Sequence, residues 1–400
     1  MQTPGLRTTP FHPRTAALME GAAWRRWAGY TVASCYELSH EREYWAIRNS
    51  AALIDVTPLY KYLVHGPGAA RLLDRVVTRD ITKLQVGQVY YTPWCDTRGK
   101  VIDDGTISRL DDTTFRMTSA DPNERWLTMN ARGLDVSIQE ISEAVGALSL
   151  QGPTSRAILA SGFEGGDVEK LKYFRFVAGR FRGIPVTISR TGYTGDLGYE
   201  IWVESGRALD LWDALVEAGT PHGLTPTGIL GLDIARIEAG LIMIEIDYVS
   251  AHHALIESQT SSPWEINLGW TVSLTKGPHN GLEALRAEKE KGSQWQFVGI
   301  DVEWTSLEAL FAEHRLPPRL PAIAWRMSVP LYAAGRQVGY ASSGCWSPLL
   351  KKMIALAHIE TPWAKPGTEV FMEVTVEHHR RQAAAKVAAL PFFNPERKRA

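Results

Sequence analysis

The side chains with the clearest chemical potential in this sequence are carboxylates on extended segments. Asp103 and Asp104 are adjacent in the stretch KVIDDG, which the surrounding pattern predicts to be a strand. Because successive side chains of a strand point to opposite faces, only one of these two carboxylates can enter a single site. A carboxylate held beside an amine can orient that amine and accept its proton. The alternative is that the acidic pair caps a turn, a common use of aspartate.

A further carboxylate follows a glycine-rich segment, RTGYTGDLGYEIWV at residues 190–203. Tyr199, Ile201 and Val203 fall on one face of an alternating pattern and Glu200 falls on the other, which predicts a strand entered through a glycine-rich turn. Taken alone, the segment is more typical of a tight hairpin with a solvated acid than of a binding site.

Several familiar chemistries have no motif in this sequence. It contains no phosphate-binding GxxxxGK[ST], no HExxH and no GxSxG nucleophile elbow. The eleven histidines include adjacent pairs at residues 252–253 and 378–379, without carboxylate or cysteine partners at ligand spacing. The three cysteines lie far apart and offer neither a disulfide framework nor a zinc spacing. We therefore expect no metal site.

Composition limits the class of protein. The chain has 400 residues, 44% of them hydrophobic, which is enough for two or three packed domains. A formal net charge of −1 gives no electrostatic attraction for nucleic acid or an anionic membrane. No apolar run approaches the ~18 residues of a membrane helix, and residues 1–21 lack the apolar core of a signal peptide. We expect a cytoplasmic protein.

The elements that must position the carboxylates follow from hydrophobic periodicity. The pattern predicts a three-stranded meander over residues 86–118 and helices over 40–53, 69–77, 124–133 and 206–219, the last with Gly219 as its cap. A charged helical stretch at 277–297 precedes a region of mostly strand and turn. This mixed order, with no regular βαβ repeat, predicts α+β domains with antiparallel sheets.

Sequence blocks in a fixed order resemble the aminomethyltransferase family, which includes the glycine cleavage T-protein and tetrahydrofolate-dependent demethylases. The blocks are GKVIDD, LQGPTS, RTGYTGDLGYE, SSGCWSPLLKKMIALA and, more weakly, GILGLDIARIEAGL. The resemblance implies a three-domain cloverleaf around a central folate channel: a ferredoxin-like N-terminal domain, a second α+β domain and a C-terminal β-barrel. We place these parts at residues 1–145, 146–280 and 281–400.

The resemblance also implies roles for individual residues around tetrahydrofolate. Asp104 matches the family aspartate near N5 and N10, and Glu200 would accept hydrogen bonds from the pterin amino and ring N–H groups. The glycines before Glu200 would let the backbone approach the flat ring. Tyr91 matches a folate contact, and Tyr193 would pack against the ring. Arg236 is a further folate-binding candidate, unless it forms an ion-pair network with Glu238.

Other segments depart from the glycine-cleavage pattern where the one-carbon donor would arrive. DVTPLYKY at residues 55–62 replaces a DVSHMGE-like string, and the connector after the GILGLDIARIEAGL helix is longer than usual. These changes bring in Tyr60, Tyr62 and Tyr248, which could contact a donor or protonate its leaving group. The residues expected to bind folate match the family, whereas those on the donor side differ. This suggests the same acceptor and a different donor.

We therefore expect an enzyme that moves a methyl group from an O-, N- or S-methylated small molecule to N5 of tetrahydrofolate. Tyr60 and Tyr248 are candidate acids beside the catalytic Asp104. One alternative is an aminomethyltransferase that uses a lipoyl carrier protein as its partner. Another, of a different class, is a folate-binding regulatory or repair protein, although the retained aspartate favours catalysis.

Overall fold

The computed structural model describes residues 6–400, so the first five residues considered for a signal peptide lie outside it. The chain forms two compact units. The first contains residues up to Thr92, Asp103–Ala235 and Pro395–Ala400, and the second contains Pro93–Ile102 and Arg236–Asn394. None of the helices in residues 6–400 is long and apolar enough to span a membrane.

Strands and helices are mixed along the described residues without a regular alternation. The strands are β1 Arg7–Thr8, β2 Trp24–Trp27, β3 Tyr30–Ala33, β4 Ala51–Asp55, β5 Tyr60–His65, β6 Val89–Cys95, β7 Val101–Arg109, β8 Thr114–Ser119, β9 Ser137–Glu140, β10 Val145–Gln151, β11 Phe163–Glu164, β12 Phe176–Phe181, β13 Ile184–Ser189, β14 Gly198–Glu204, β15 Leu224–Pro226, β16 Trp295–Val302, β17 Val329–Ala333, β18 Arg336–Ser347, β19 Lys352–Glu360, β20 Glu369–Val376 and β21 His379–Ala388. The helices are α1 His12–Ala17, α2 Glu41–Asn49, α3 Ala69–Val76, α4 Glu124–Asn130, α5 Ser155–Ala160, α6 Ala208–Gly219, α7 Ile229–Glu238, α8 Leu282–Lys291 and α9 Trp304–Ala312.

The first unit is built mainly on two sheets. A seven-stranded sheet has the order β11-β12-β13-β14-β10-β4-β15, and a five-stranded sheet has the order β6-β7-β8-β5-β9. The meander predicted over residues 86–118 is present as β6, β7 and β8, although the end of the β6–β7 hairpin, Pro93–Ile102, belongs to the second unit. Strand β14 carries Glu200, and β7 carries the acidic pair.

The seven-stranded sheet is buried on both faces, and this explains one wrong prediction. Leu53 of β4 joins the apolar core on one face, whereas Ala52 and Ile54 join the core on the other. A strand buried on both sides has no apolar–polar alternation. The predicted helix over 40–53 therefore runs too far, because α2 ends at Asn49 and its last predicted residues form β4.

The predicted cap of α6 is also wrong. Gly219 is the last residue of the helix and has ordinary helical backbone angles, whereas Gly223, with φ of +71°, adopts the left-handed conformation. Glycine is needed at position 219 for space, because a Cβ there would lie 2.5 Å from the Cβ of Leu224. The other predicted helices are present with shorter ends.

The second unit contains a closed barrel, with the strand order β16-β19-β18-β17-β20-β21. Its interior is filled by alternating apolar residues such as Ile300, Val338 and Val370. The barrel confirms the predicted C-terminal β-barrel, and the mixed helices and antiparallel pairs confirm the α+β class. All barrel strands lie within the predicted third part, 281–400.

The boundary predicted between residues 145 and 146 runs through one sheet. Strand β4 pairs with both β10 and β15, so the seven-stranded sheet takes strands from both sides of that point. The division into parts 1–145, 146–280 and 281–400 stays a prediction.

The LQGPTS block generates a prediction about stability. Gly152 has φ of +123°, and a Cβ there would lie 2.5 Å from the carbonyl oxygen of Ser50, at the end of α2. We expect Gly152→Ala to lower the free energy of unfolding by about 2–4 kcal/mol, because backbone strain adds to a clash with backbone. Urea denaturation measures the change.

Gly183→Ala is the matched control. Gly183 also has a positive φ, +80°, but a Cβ there would meet nothing within 4 Å. Gly183→Ala should lower the free energy of unfolding by about 1–2 kcal/mol, the cost of a left-handed backbone conformation for alanine. Equal losses in the two variants would show that the close approach to α2 is unimportant.

Candidate functional site

The two acids of β7 point to opposite faces of the five-stranded sheet and have different partners. Asp103 is fully buried, and its Oδ2 accepts hydrogen bonds from the backbone N–H of Asp121 and from Asn123 Nδ2, at 3.0 and 2.9 Å. Asp104 is half-buried, and its Oδ2 accepts a 2.7 Å hydrogen bond from the hydroxyl of Tyr91. Asp103 thus orders the loop after β8, and the catalytic role of Asp104 stays a prediction.

The hydrogen bond from Tyr91 to Asp104 has a defined protonation state. Burial raises the pKa of the Tyr91 phenol well above its usual value, and the charge of Asp104 raises it further. The phenol therefore keeps its proton, and its O–H donates the hydrogen bond to the carboxylate. The phenol of Tyr193 contributes to the same pKa shift, so the structure brings Tyr193 into the surroundings of Tyr91 and Asp104.

The glycines before β14 serve a purpose that the sequence did not reveal. A Cβ at Gly192 or Gly198 would lie 2.2 Å from Oε1 of Gln151, the glutamine of LQGPTS. Gln151 is fully buried, and its Oε1 accepts a 2.7 Å hydrogen bond from Thr194. Gly192 and Gly198 therefore make room for Gln151, and the approach of the backbone to a flat ring stays a prediction.

Glu200 occupies a half-buried position on β14. Its Oε2 accepts a 2.5 Å hydrogen bond from the hydroxyl of Thr191. Burial raises the pKa of Glu200, and the Thr191 hydrogen bond and the charge of Arg116 act in the opposite direction. Within residues 6–400, no group donates a hydrogen bond to the other oxygen, Oε1, which is left to accept one from a ligand.

Sequence reasoning missed two buried cations on the Asp104 face of the five-stranded sheet. Arg116 lies 4.1 Å from the ring centroid of Trp202, and burial lowers its pKa to about 10. Lys61 is fully buried and donates to the carbonyl oxygens of Thr57 and Leu59, at 2.6 and 2.8 Å. Burial lowers the pKa of Lys61 to about 7. The available signal was a basic residue between apolar or aromatic neighbours, as in YKY and FRM.

The tyrosines of DVTPLYKY do not face Asp104. Tyr62 is fully buried, and its hydroxyl accepts a 2.8 Å hydrogen bond from the backbone N–H of Asn123, on the Asp103 side of the sheet. Tyr60 lies two residues away on the same strand and therefore on the same face. The structure thus places Tyr60 away from the side of the sheet that carries Asp104.

Arg236 and Tyr248 belong to the second unit. Arg236 is fully buried and forms a 2.5 Å ion pair with Asp247, whose other oxygen accepts hydrogen bonds from Ser342 and Ser343. Arg236 is thus part of an ion-pair network through Asp247. Its assignment to folate binding stays a prediction. Tyr248 is 3% exposed.

Comparisons with known proteins agree with this fold. The family model for the GCVT N-terminal domain matches residues 11–276, and that for the glycine cleavage T-protein C-terminal barrel domain matches 317–394. The crystal structure of glycine cleavage system aminomethyltransferase T from Bartonella henselae superimposes with a TM-score of 0.82, at 24% identity, over 97% of this chain and 98% of that one.

Curated relatives point the same way. An aminomethyltransferase from Halothermothrix orenii is 31% identical over 94% of this chain and 96% of its own length. One from Streptomyces avermitilis is 33% identical over 94% and 95%. A trimethylamine-oxide aldolase from Ruegeria pomeroyi is 31% identical over 98% of this chain but only 48% of its own length.

The fold and the matching family models define a class of protein that transfers one-carbon units. The chain belongs to the aminomethyltransferase family of the glycine cleavage T-protein, an enzyme family that uses tetrahydrofolate. The residues present fit that molecule, because Glu200 offers a carboxylate oxygen without a hydrogen-bond donor among residues 6–400, as the N–H edge of a pterin requires.

The different environments of the two acids predict different effects on stability. Asp103 accepts three hydrogen bonds, including one from the N–H of Asp104, so Asp103→Asn turns an amide group toward existing donors. We expect it to lower the free energy of unfolding by about 1–3 kcal/mol. Asp104→Asn should cost less, below about 1 kcal/mol, because its side chain is half-buried and can still accept from Tyr91. Urea denaturation of both variants tests this, and a reversed order would contradict the assignment of faces.

Proposed function

We propose that this protein transfers a methyl group from an O-, N- or S-methylated small molecule to N5 of tetrahydrofolate. The observation that carries the proposal is the pairing of Asp104 with Tyr91 on the polar face of the five-stranded sheet. A half-buried carboxylate held by a protonated phenol is suited to orient an amine and to take up its proton. The retained Asp104 favours catalysis over folate binding alone.

The chain's own residues have separate tasks in this proposal. Tetrahydrofolate, when bound, supplies the N5 amine that accepts the one-carbon unit. Glu200 would hold the pterin through its N–H edge, with Thr191 fixing the carboxylate, and Tyr193 would pack against the ring. Asp104 would orient N5 and accept its proton, and Tyr91 would fix the position of Asp104. Holding two reactants in line accounts for much of the acceleration in such transfers.

The nature of the donor rests on the departures from the glycine-cleavage pattern. DVTPLYKY and the longer connector after α7 replace the family's donor-side segments. One relative over 98% of this chain is named trimethylamine-oxide aldolase, so similarity to this family extends to a protein named for a methylated amine. Both observations support a methylated small molecule as the donor.

Aminomethyl transfer is the second candidate. Curated relatives at 31% and 33% identity, which match nearly their whole length, are named aminomethyltransferase. In that case the donor is an aminomethyl-lipoyl group on a carrier protein, and the reaction releases ammonia. Glu200 and Asp104 would have the same tasks toward the folate, so the two candidates differ only at the donor end.

The direct test is product analysis. We expect incubation with tetrahydrofolate and a panel of an aryl methyl ether, methylated amines and sulfonium compounds to yield 5-methyltetrahydrofolate, detected by mass. Asp104→Asn should reduce turnover about 10²-fold or more, the scale of a positioned acid or base, and Asp103→Asn should reduce it much less. Product formed only with an aminomethyl-lipoyl carrier would favour the second candidate, and no product from any donor would reject both.

The proton donor to the leaving group gives a separate prediction. We assign this task to Tyr248, because Tyr60 lies on the Asp103 face of its sheet. Tyr248→Phe should keep folate affinity and lose turnover. The loss should be smaller for sulfonium or quaternary ammonium donors, because their leaving groups depart neutral and need no proton.

Tyr60→Phe is the matched control and should turn over like the wild type. Steady-state kinetics with an ether and a sulfonium donor, together with calorimetry for folate, separate the two variants. A loss of turnover in Tyr60→Phe with none in Tyr248→Phe would reverse the assignment.

A further inference from the structure

Arg116 of β8 is a buried cation without a hydrogen-bonding partner in the described part of the chain. It is 7% exposed, and its Nε reaches no acceptor. Among residues 6–400, none accepts a hydrogen bond from its terminal nitrogens or forms an ion pair with it. The Nε–H is buried without an acceptor, which is unfavourable, and the terminal nitrogens carry further N–H donors that no group within residues 6–400 engages. The ring of Trp202, 4.1 Å from the guanidinium carbon, contacts only its face.

Glu200 is close to Arg116 but does not neutralise it. The charge of each acts on the other, yet they form no ion pair within 4.0 Å. Oε2 of Glu200 is engaged by Thr191, which fixes the carboxylate on β14, while Arg116 is fixed over Trp202 of the same strand. Neighbouring positions of β14 therefore hold an acceptor and a donor that both have unused hydrogen-bonding capacity.

Arg116 also lies on the same polar face as Asp104. The hydroxyls of Thr106 on β7 and Thr118 on β8 share a 2.7 Å hydrogen bond, so these two side chains lie on one face. Arg116 pairs with Ser108, and each lies two residues along its strand from one of these threonines. Side chains two residues apart on a strand share a face. At ~3.3 Å per residue, Arg116 lies roughly 13 Å along the sheet from Asp104. A long arginine and a short aspartate side chain that reach toward neighbouring atoms of one bound ring fit this span.

We propose that Arg116 is a pterin-binding residue that donates to the C4 carbonyl oxygen of tetrahydrofolate, beside the contact of Glu200 with the 2-amino group and N3–H. This inference rests on the proposed function. The pterin edge presents two donors followed by an acceptor. Glu200 supplies the acceptor for the two donors, and Arg116 supplies the donor for the carbonyl oxygen. The hydrogen bonds to Glu200 and from Arg116 are both charge-assisted.

A folate whose carbonyl is replaced tests this contact directly. Calorimetry would compare tetrahydrofolate with 4-amino-4-deoxytetrahydrofolate, which presents an amino group to Arg116 and lacks N3–H. Wild-type protein should prefer tetrahydrofolate. Arg116→Met should reduce that preference about 10- to 150-fold, the scale of a hydrogen bond to a charged group. Glu200→Gln should remove the separate part of the preference that depends on N3–H.

Arg109→Met is the matched control. Arg109 lies on the same sheet with its guanidinium 5.5 Å from the ring of Phe115, but it donates to the carbonyl oxygen of Leu84. The preference between the two folates should be unchanged in this variant. If Arg116→Met does not fold, Arg116→Lys serves in its place. Its preference for tetrahydrofolate over the 4-amino analogue should be smaller than that of the wild type.

The outcomes distinguish this inference from the proposed function. An unchanged preference in the Arg116 variants would overturn the inference while leaving folate binding intact. A raised KM for the methyl donor with unchanged folate affinity would also overturn it and would assign Arg116 to an anionic donor. If wild-type protein binds neither folate, the proposed function itself fails.

Discussion

The turn that enters β14 is held by one buried side chain, that of Gln151. Its amide fills the space that Gly192 and Gly198 leave by having no Cβ, and it bonds to Thr194 on one side and to backbone carbonyls on the other. These contacts join the end of β10 to the turn that enters β14. A side chain at either glycine would displace the amide, so Gln151 fixes the turn and with it the start of β14, which carries Glu200.

Because side chains alternate along β7, its two adjacent aspartates lie in different environments. Asp103 and Asp104 have the same side chain, but one faces the loop that it orders and the other faces the hydroxyl of Tyr91. Burial and the neighbouring charge of Asp104 both raise the pKa of Asp103 well above its usual value. Burial and that charge therefore both favour the neutral form of Asp103.

The sequence predicted the local features better than the tertiary ones. The strand with Glu200, the meander with the acidic pair, and the barrel follow from period-two patterns and the family blocks. The end of α2 could not be placed, because β4 is apolar on both faces and continues the helical pattern. Arg116 was missed because a lone arginine in a strand is usually exposed. Only the sheet packing puts it over Trp202.

The DVTPLYKY segment, which differs from the glycine-cleavage pattern, has a structural role of its own. Lys61 donates to the carbonyl oxygens of Thr57 and Leu59, and Asp55 accepts from the N–H of Thr57, so the segment closes its own loop. The lysine replaces solvent for those carbonyls and therefore has to be buried, which lowers its pKa to about 7. Part of the sequence change thus serves to build this loop.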